Sequence, residues 1–299
     1  MCVKSKKIVR LALKMATVAR KKHPGIAQRA RKLCSLSIFV IAGATGPLTS
    51  VMAQEEPITE QGYEREELGV NAYTAPSIAR IFQQLDELRP LPFEQLQREF
   101  PKASPASRER KGLIFGGLVA DGFLIVEAER KNAVDNLGRV LIREARGLGV
   151  ADRVTRHSAS LTELARRGDW PAVRKELIAT QADVEQAMVE LRDQKMAHLI
   201  SLGGWLRGLE ISAGAVELDF SPQRAQVLAQ RDLVDYFAAE LKTLPPTLTT
   251  MPLFEQIRAG VNAIHISLSK ATVNGLTLAD VKAMHARARE LNLAIRQID

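Results

Sequence analysis

Three charged residues stand inside two otherwise apolar stretches, and they are the side chains of this sequence best placed to do chemistry. Leu113–Val126 carries Asp121 as its single charge in fourteen residues, and Met196–Val216 carries Arg207 and Glu210 in mid-run with His198 near its start. A charge inside an apolar helix is costly unless it is paired or hydrated. Asp121 and Arg207 are therefore expected either to pair between crossing helices or to line a polar spot in a pocket, where a perturbed carboxylate can bind or catalyse. Asp121, His198, Arg207 and Glu210 form the candidate binding set. No residue is assigned a catalytic role.

Beyond residue 53 the histidines are His157, His198, His265 and His285, and none has a Glu three positions before it, so the helical di-iron pattern is absent. The sequence has no H-E-x-x-H, no C-x-x-C-H, no phosphate-binding G-x-x-x-x-G-K-[ST], no dinucleotide-binding G-x-G-x-x-G after a strand and no G-x-S-x-G. The two cysteines, Cys2 and Cys34, both lie in the first 53 residues, which excludes a disulfide, a Cys-zinc site or a thiol nucleophile from the remainder. No cofactor and no metal is expected. His265 and His285 flank apolar stripes and read as boundary residues.

The elements that must position these residues have helical period throughout. Ile78, Ile81, Phe82, Leu85 and Leu88 make a first stripe, stopped by Pro90 and Pro92, and a short piece holding Phe93, Leu96 and Phe100 follows. Helices are expected over 106–130, 133–146 and 151–167. Gly147 and Gly149 end the second, and Asp169 with Pro171 caps the start of the next, which meets no Gly or Pro until Gly203. Ser221-Pro222 begins another, Leu253 to Leu268 a further one, and Thr277-Leu-Ala-Asp280 is a capping-box start for the last. On that last helix Lys282, Arg289 and Arg296 recur every seven residues on one face. No segment sustains period-2 alternation, so the expected fold is all-α: a bundle of roughly eight helices over residues 73–299, with the two glycine-bearing apolar helices at its centre.

Glycines four apart mark both central helices, Gly112 and Gly116 continued by Ala120, and Gly204 and Gly208 continued by Ser212. Gly inside a helix costs about 1 kcal/mol relative to Ala, and a stripe of small residues lets a second backbone approach closely. The two helices are expected to cross each other at these stripes, the alternative being a ligand groove there. Leu113-Ile-x-Gly-Gly and Leu199-Ile-x-x-Gly-Gly also align with one gap, a match thin enough to arise by chance between apolar helices.

Residues 1–53 hold 11 Lys and Arg and no carboxylate, so 31 basic and 34 acidic residues remain and the rest of the chain is net −3 although the whole is +8. The basic front, the apolar run from Leu33 broken at Gly43, Gly46 and Pro47, and the small-x-small site Val51-Met52-Ala53 read as a secretory signal cleaved after Ala53. Met15 offers an internal start within it. The apolar run falls short of the ~20 residues a membrane span needs. Residues 54–72 carry six Glu and little that is apolar, and read as an acidic spacer. Because the basic excess leaves with the leader, nucleic acid is not an expected partner. The expectation is an exported, periplasmic or otherwise extracytoplasmic bacterial envelope protein: a non-catalytic helical module that binds a protein or a small molecule. The rival reading is an enzyme or small-ligand-binding protein built on Asp121, Arg207 and Glu210.

Overall fold

The computed structural model describes Gln83, residues 85–270 and residues 275–297. The leader, the acidic spacer and most of the first apolar stripe lie outside the described residues. Eleven helices, eight of them seven residues or longer, make an all-α bundle with no strand among the described residues. They are α1 Phe93–Leu96, α2 Arg108–Glu127, α3 Lys131–Leu148, α4 Ala151–Arg167, α5 Trp170–Glu190, α6 Gln194–Leu218, α7 Pro222–Gln226, α8 Arg231–Thr243, α9 Pro246–Thr249, α10 Pro252–Lys270 and α11 Leu278–Arg296.

The centre is the pair α2 and α6, and both are buried along nearly their whole length. α3 packs on α2, α4 on α3, and α5 returns to touch α4, α2 and α6; α11 covers α6, and α10 bridges α11 and α8. Helices that are apolar on every side can sit only inside such a shell. None of the described helices is long and apolar enough to cross a membrane.

α2 and α6 run parallel and touch backbone to backbone. A Cβ built on Gly116 would lie 1.8 Å from the Ile200 carbonyl oxygen, and one built on Gly203 would lie 2.0 Å from the Leu113 carbonyl oxygen. The contact is reciprocal, since each glycine rests on the carbonyl three residues before the other. On α2 the expected stripe is used. On α6 the expected Gly204 also meets α2, its backbone N lying 2.7 Å from a Cβ built on Gly116, and Gly203, one position off the stripe read in the sequence, joins it.

Several boundaries follow directly from local chemistry. Ser107, Asp169, Asp193 and Ser221 each accept a backbone N–H at a helix start, and Thr277 with Asp280 forms the full capping box. Gly149 and Gly168 close α3 and α4 in the left-handed conformation.

The stretch from Trp170 to Gly203 is broken, against the sequence reading. Arg192 adopts φ 57° and the Asp193 N–H bonds the Met188 carbonyl at 2.7 Å, closing α5 as a glycine would. Glu129, at φ 53°, ends α2 in the same way, with the Arg130 N–H on the Ile125 carbonyl at 3.1 Å. The next expected helix is also divided, into the short α7 and the longer α8.

Candidate functional site

Asp121 projects from α2 toward α6, where Arg207 Nε donates to its Oδ1 at 2.7 Å. Both residues are buried, at 4% and 2% exposure. Glu210, one turn beyond Arg207, stands 2.9 Å from Arg207 Nη1 as an ion pair. The fourth member comes from outside both apolar helices. Arg98 lies in the extended chain between α1 and α2, and its Nε donates to Asp121 Oδ2 at 2.9 Å while its Nη1 stands 3.9 Å from Glu210. Two guanidiniums and two carboxylates thus form a neutral, nearly dry quartet.

Gly117 makes room for this arrangement. A Cβ there would come within 3.0 Å of Arg98 Nη2, so the second glycine of the Gly116-Gly117 pair serves the ion cluster while the first serves the helix crossing. Burial by itself would push the Asp121 carboxyl up, but Arg98 and Arg207 outweigh it and hold the group below the usual carboxylate range. The Arg98 guanidinium is lowered to about 10, mainly by burial, with Asp121 opposing the shift and Arg207 adding to it. An Asp with both oxygens engaged by guanidinium N–H groups is a poor proton acceptor.

The segment 97–107 crosses the bundle as a strap, tied down at several points. Arg207 Nη2 donates to the Leu96 carbonyl at 2.6 Å, Arg143 Nη2 to the Pro101 carbonyl at 2.7 Å, and Ser104 Oγ to the buried Glu144 carboxylate at 2.7 Å. Arg296 on α11 donates to the Glu99 carbonyl.

On one side of the strap a groove of about 840 Å³ opens against α2 and α3. Phe93, Phe100, Leu124, Ile125 and Val140 form its apolar walls, and Arg98 and Asp121 form part of its floor. On the other side a cavity of about 180 Å³ lies against α6 and α11, and Arg98, Arg207 and Glu210 all reach it. The quartet is therefore a partition between two concavities.

His198 does not join it. Its Nδ1 shares a hydrogen bond with the Tyr236 hydroxyl of α8 at 2.5 Å, and its Nε2 stands 3.7 Å from Glu240. His198 precedes Arg207 by nine residues, and at about 100° per residue nine steps place two side chains on opposite sides of a helix. That separation was readable from the spacing. Arg98 was not, because it lies in an irregular segment with no periodicity to mark which side chain turns inward.

Among the described residues no cluster of His, Cys, Asp and Glu could hold a metal ion. No family model, no curated protein and no solved structure matches this chain.

Proposed function

We propose that the chain is an exported envelope protein that binds its ligand without transforming it, and that the groove between the strap, α2 and α3 is the binding site. The groove carries this reading. Its volume is in the range of small-molecule sites, and apolar walls around a few fixed polar groups are what such sites are built from. Gln97 and Asn136 add neutral donors and acceptors, and Lys102 and Arg143 stand with Glu99 among its charged groups. The matching ligand is a small amphipathic molecule. Export rests on the leader and its Val51-Met52-Ala53 site.

The rival reading, catalysis by Asp121, Arg207 and Glu210, draws support from Asp121 reaching the groove floor. The same geometry weighs against it. The carboxylate is held ionised by two guanidiniums, which makes it a poor general base.

The test is native mass spectrometry of the protein isolated from its own envelope, beside an Ala133→Trp variant that fills the groove. The parent is expected to carry a bound small molecule that the variant loses while still folding cooperatively. Equal retention by both would place binding elsewhere and remove the groove from consideration.

A further inference from the structure

The cavity on the α6–α11 side of the strap has an unusual lining. Arg98, Arg207, Arg289 and Arg296 all face it, with His285, and the one carboxylate in its wall is Glu210. Glu210 and Asp121 are already matched within the quartet, which leaves Arg289 and Arg296 in excess. His285 adds a further ring whose Nδ1 lies 2.7 Å from Glu217 at the rim. Arg289 makes no ion pair with any described residue, whereas its neighbour Arg287 is matched by Glu290 at 2.6 Å.

Two of these arginines also have a buried nitrogen that finds no hydrogen-bond partner among the described residues. They are Arg98 Nη1 and Arg296 Nε, while Glu210 Oε2 keeps its 2.9 Å ion pair with Arg207 Nη1. Unsatisfied buried donors are rare in folded proteins because each loses its water without gaining a partner. Four guanidiniums and an imidazole around one cavity, whose single carboxylate is already paired with Arg207, make a space suited to something polar and negatively charged. At about 180 Å³ it has room for roughly six water-sized molecules of ~30 Å³ each, enough for one small anion and its hydration. Guanidinium forks match the planar or tetrahedral oxygens of carboxylate and phosphate.

We propose that this cavity, walled by residues 95–98, α6 and α11, binds a single small oxyanion, a carboxylate or a phosphate. The row Lys282, Arg289 and Arg296 on α11 accounts for the delivery of charge: Arg289 and Arg296 reach the cavity, and Lys282 lines the adjoining groove where α6 ends against α11. The cationic excess also opposes protonation of Arg98, since Arg207 and Arg296 both act to lower it. An anion placed among these groups relieves that repulsion and neutralises the cationic excess.

This site is distinct from the apolar groove: Gln97 and Arg98 reach both, but Arg207, Glu210, His285, Arg289 and Arg296 line only the cavity. The test is calorimetric titration of the purified chain with inorganic phosphate and, in a second arm, with acetate, at constant ionic strength balanced with sodium chloride. Saturable binding of at least one of the two is expected, weakened at least tenfold in Arg289→Gln and in Arg296→Gln and unchanged in Arg287→Gln. Because Arg289 has no structural partner, its variant is expected to melt with the parent, so lost binding cannot be ascribed to lost folding. Absence of saturable binding in both arms, or an Arg289→Gln variant that binds as tightly as the parent, would overturn the proposal.

Discussion

Asp121 is where the chemistry of single residues decides most. Its charge is stabilised by Arg207 from a neighbouring helix and by Arg98 from the strap, so removing it leaves two buried guanidiniums facing Glu210 alone. Breaking a buried ion pair from one side costs ~3–5 kcal/mol, and Asp121→Ala is expected to lose stability in that range by urea unfolding. The double variant Asp121→Leu with Arg207→Met should recover part of the loss and not all of it. Arg98 then remains with Glu210 at the 3.9 Å separation seen now, a weaker match than the intact quartet. A coupling energy near zero between Asp121 and Arg207 would contradict the paired arrangement. A simple two-residue pair, as the sequence suggested, would instead predict nearly complete recovery.

Among the helices, the α2–α6 contact is set by two glycines and two carbonyls. Gly116 and Gly203 leave no space for even a methyl group, and what each meets is backbone, which cannot swing aside. Gly116→Ala and Gly203→Ala are therefore expected to destabilise by about 1–3 kcal/mol or somewhat more through overpacking, despite a helix propensity gain of about 1 kcal/mol. Gly147 is the control. A Cβ there would approach only the far end of the Lys111 side chain, which can move, so Gly147→Ala should be neutral or slightly stabilising. Thermal melts of the three variants check this directly. If Gly203→Ala melts with the parent, the helices are not in backbone contact. The reciprocal seating of the two glycines also gives the thin alignment of Leu113-Ile-x-Gly-Gly with the second Gly-Gly helix a spatial counterpart, since the two Gly-Gly pairs lie side by side.

For the molecule as a whole, the charge balance and the proposed export belong together. If the leader is cleaved at Val51-Met52-Ala53, the exported protein begins at Gln54 and changes from net basic to net −3. Protein recovered from the cell envelope is expected to give Gln54 as its N-terminal residue by sequencing or intact mass. An envelope-derived chain that begins at Met1 or Met15 would contradict export by a cleaved signal. The proposed anion site is compatible with a mildly acidic chain, because Arg98, Arg207, Arg289 and Arg296 are gathered around one cavity.

The sequence by itself determined the helical class, most helix starts, and the two apolar helices at the centre, because caps, glycine stops and apolar period act over a few residues and leave a local record. It also singled out Asp121, Arg207 and Glu210, since a charge in an apolar run is conspicuous wherever the run ends up. The ends of α2 and α5 were not legible. Glu129 and Arg192 take the left-handed conformation that local preference reserves for glycine, and only packing around those corners makes them do so. Nor could the sequence supply Arg98, place His198 against Tyr236, or add Gly203 to Gly204 at the crossing. Each of these depends on which faces of two distant segments meet, and that is fixed by burying both apolar helices at once, a condition only the assembled bundle imposes.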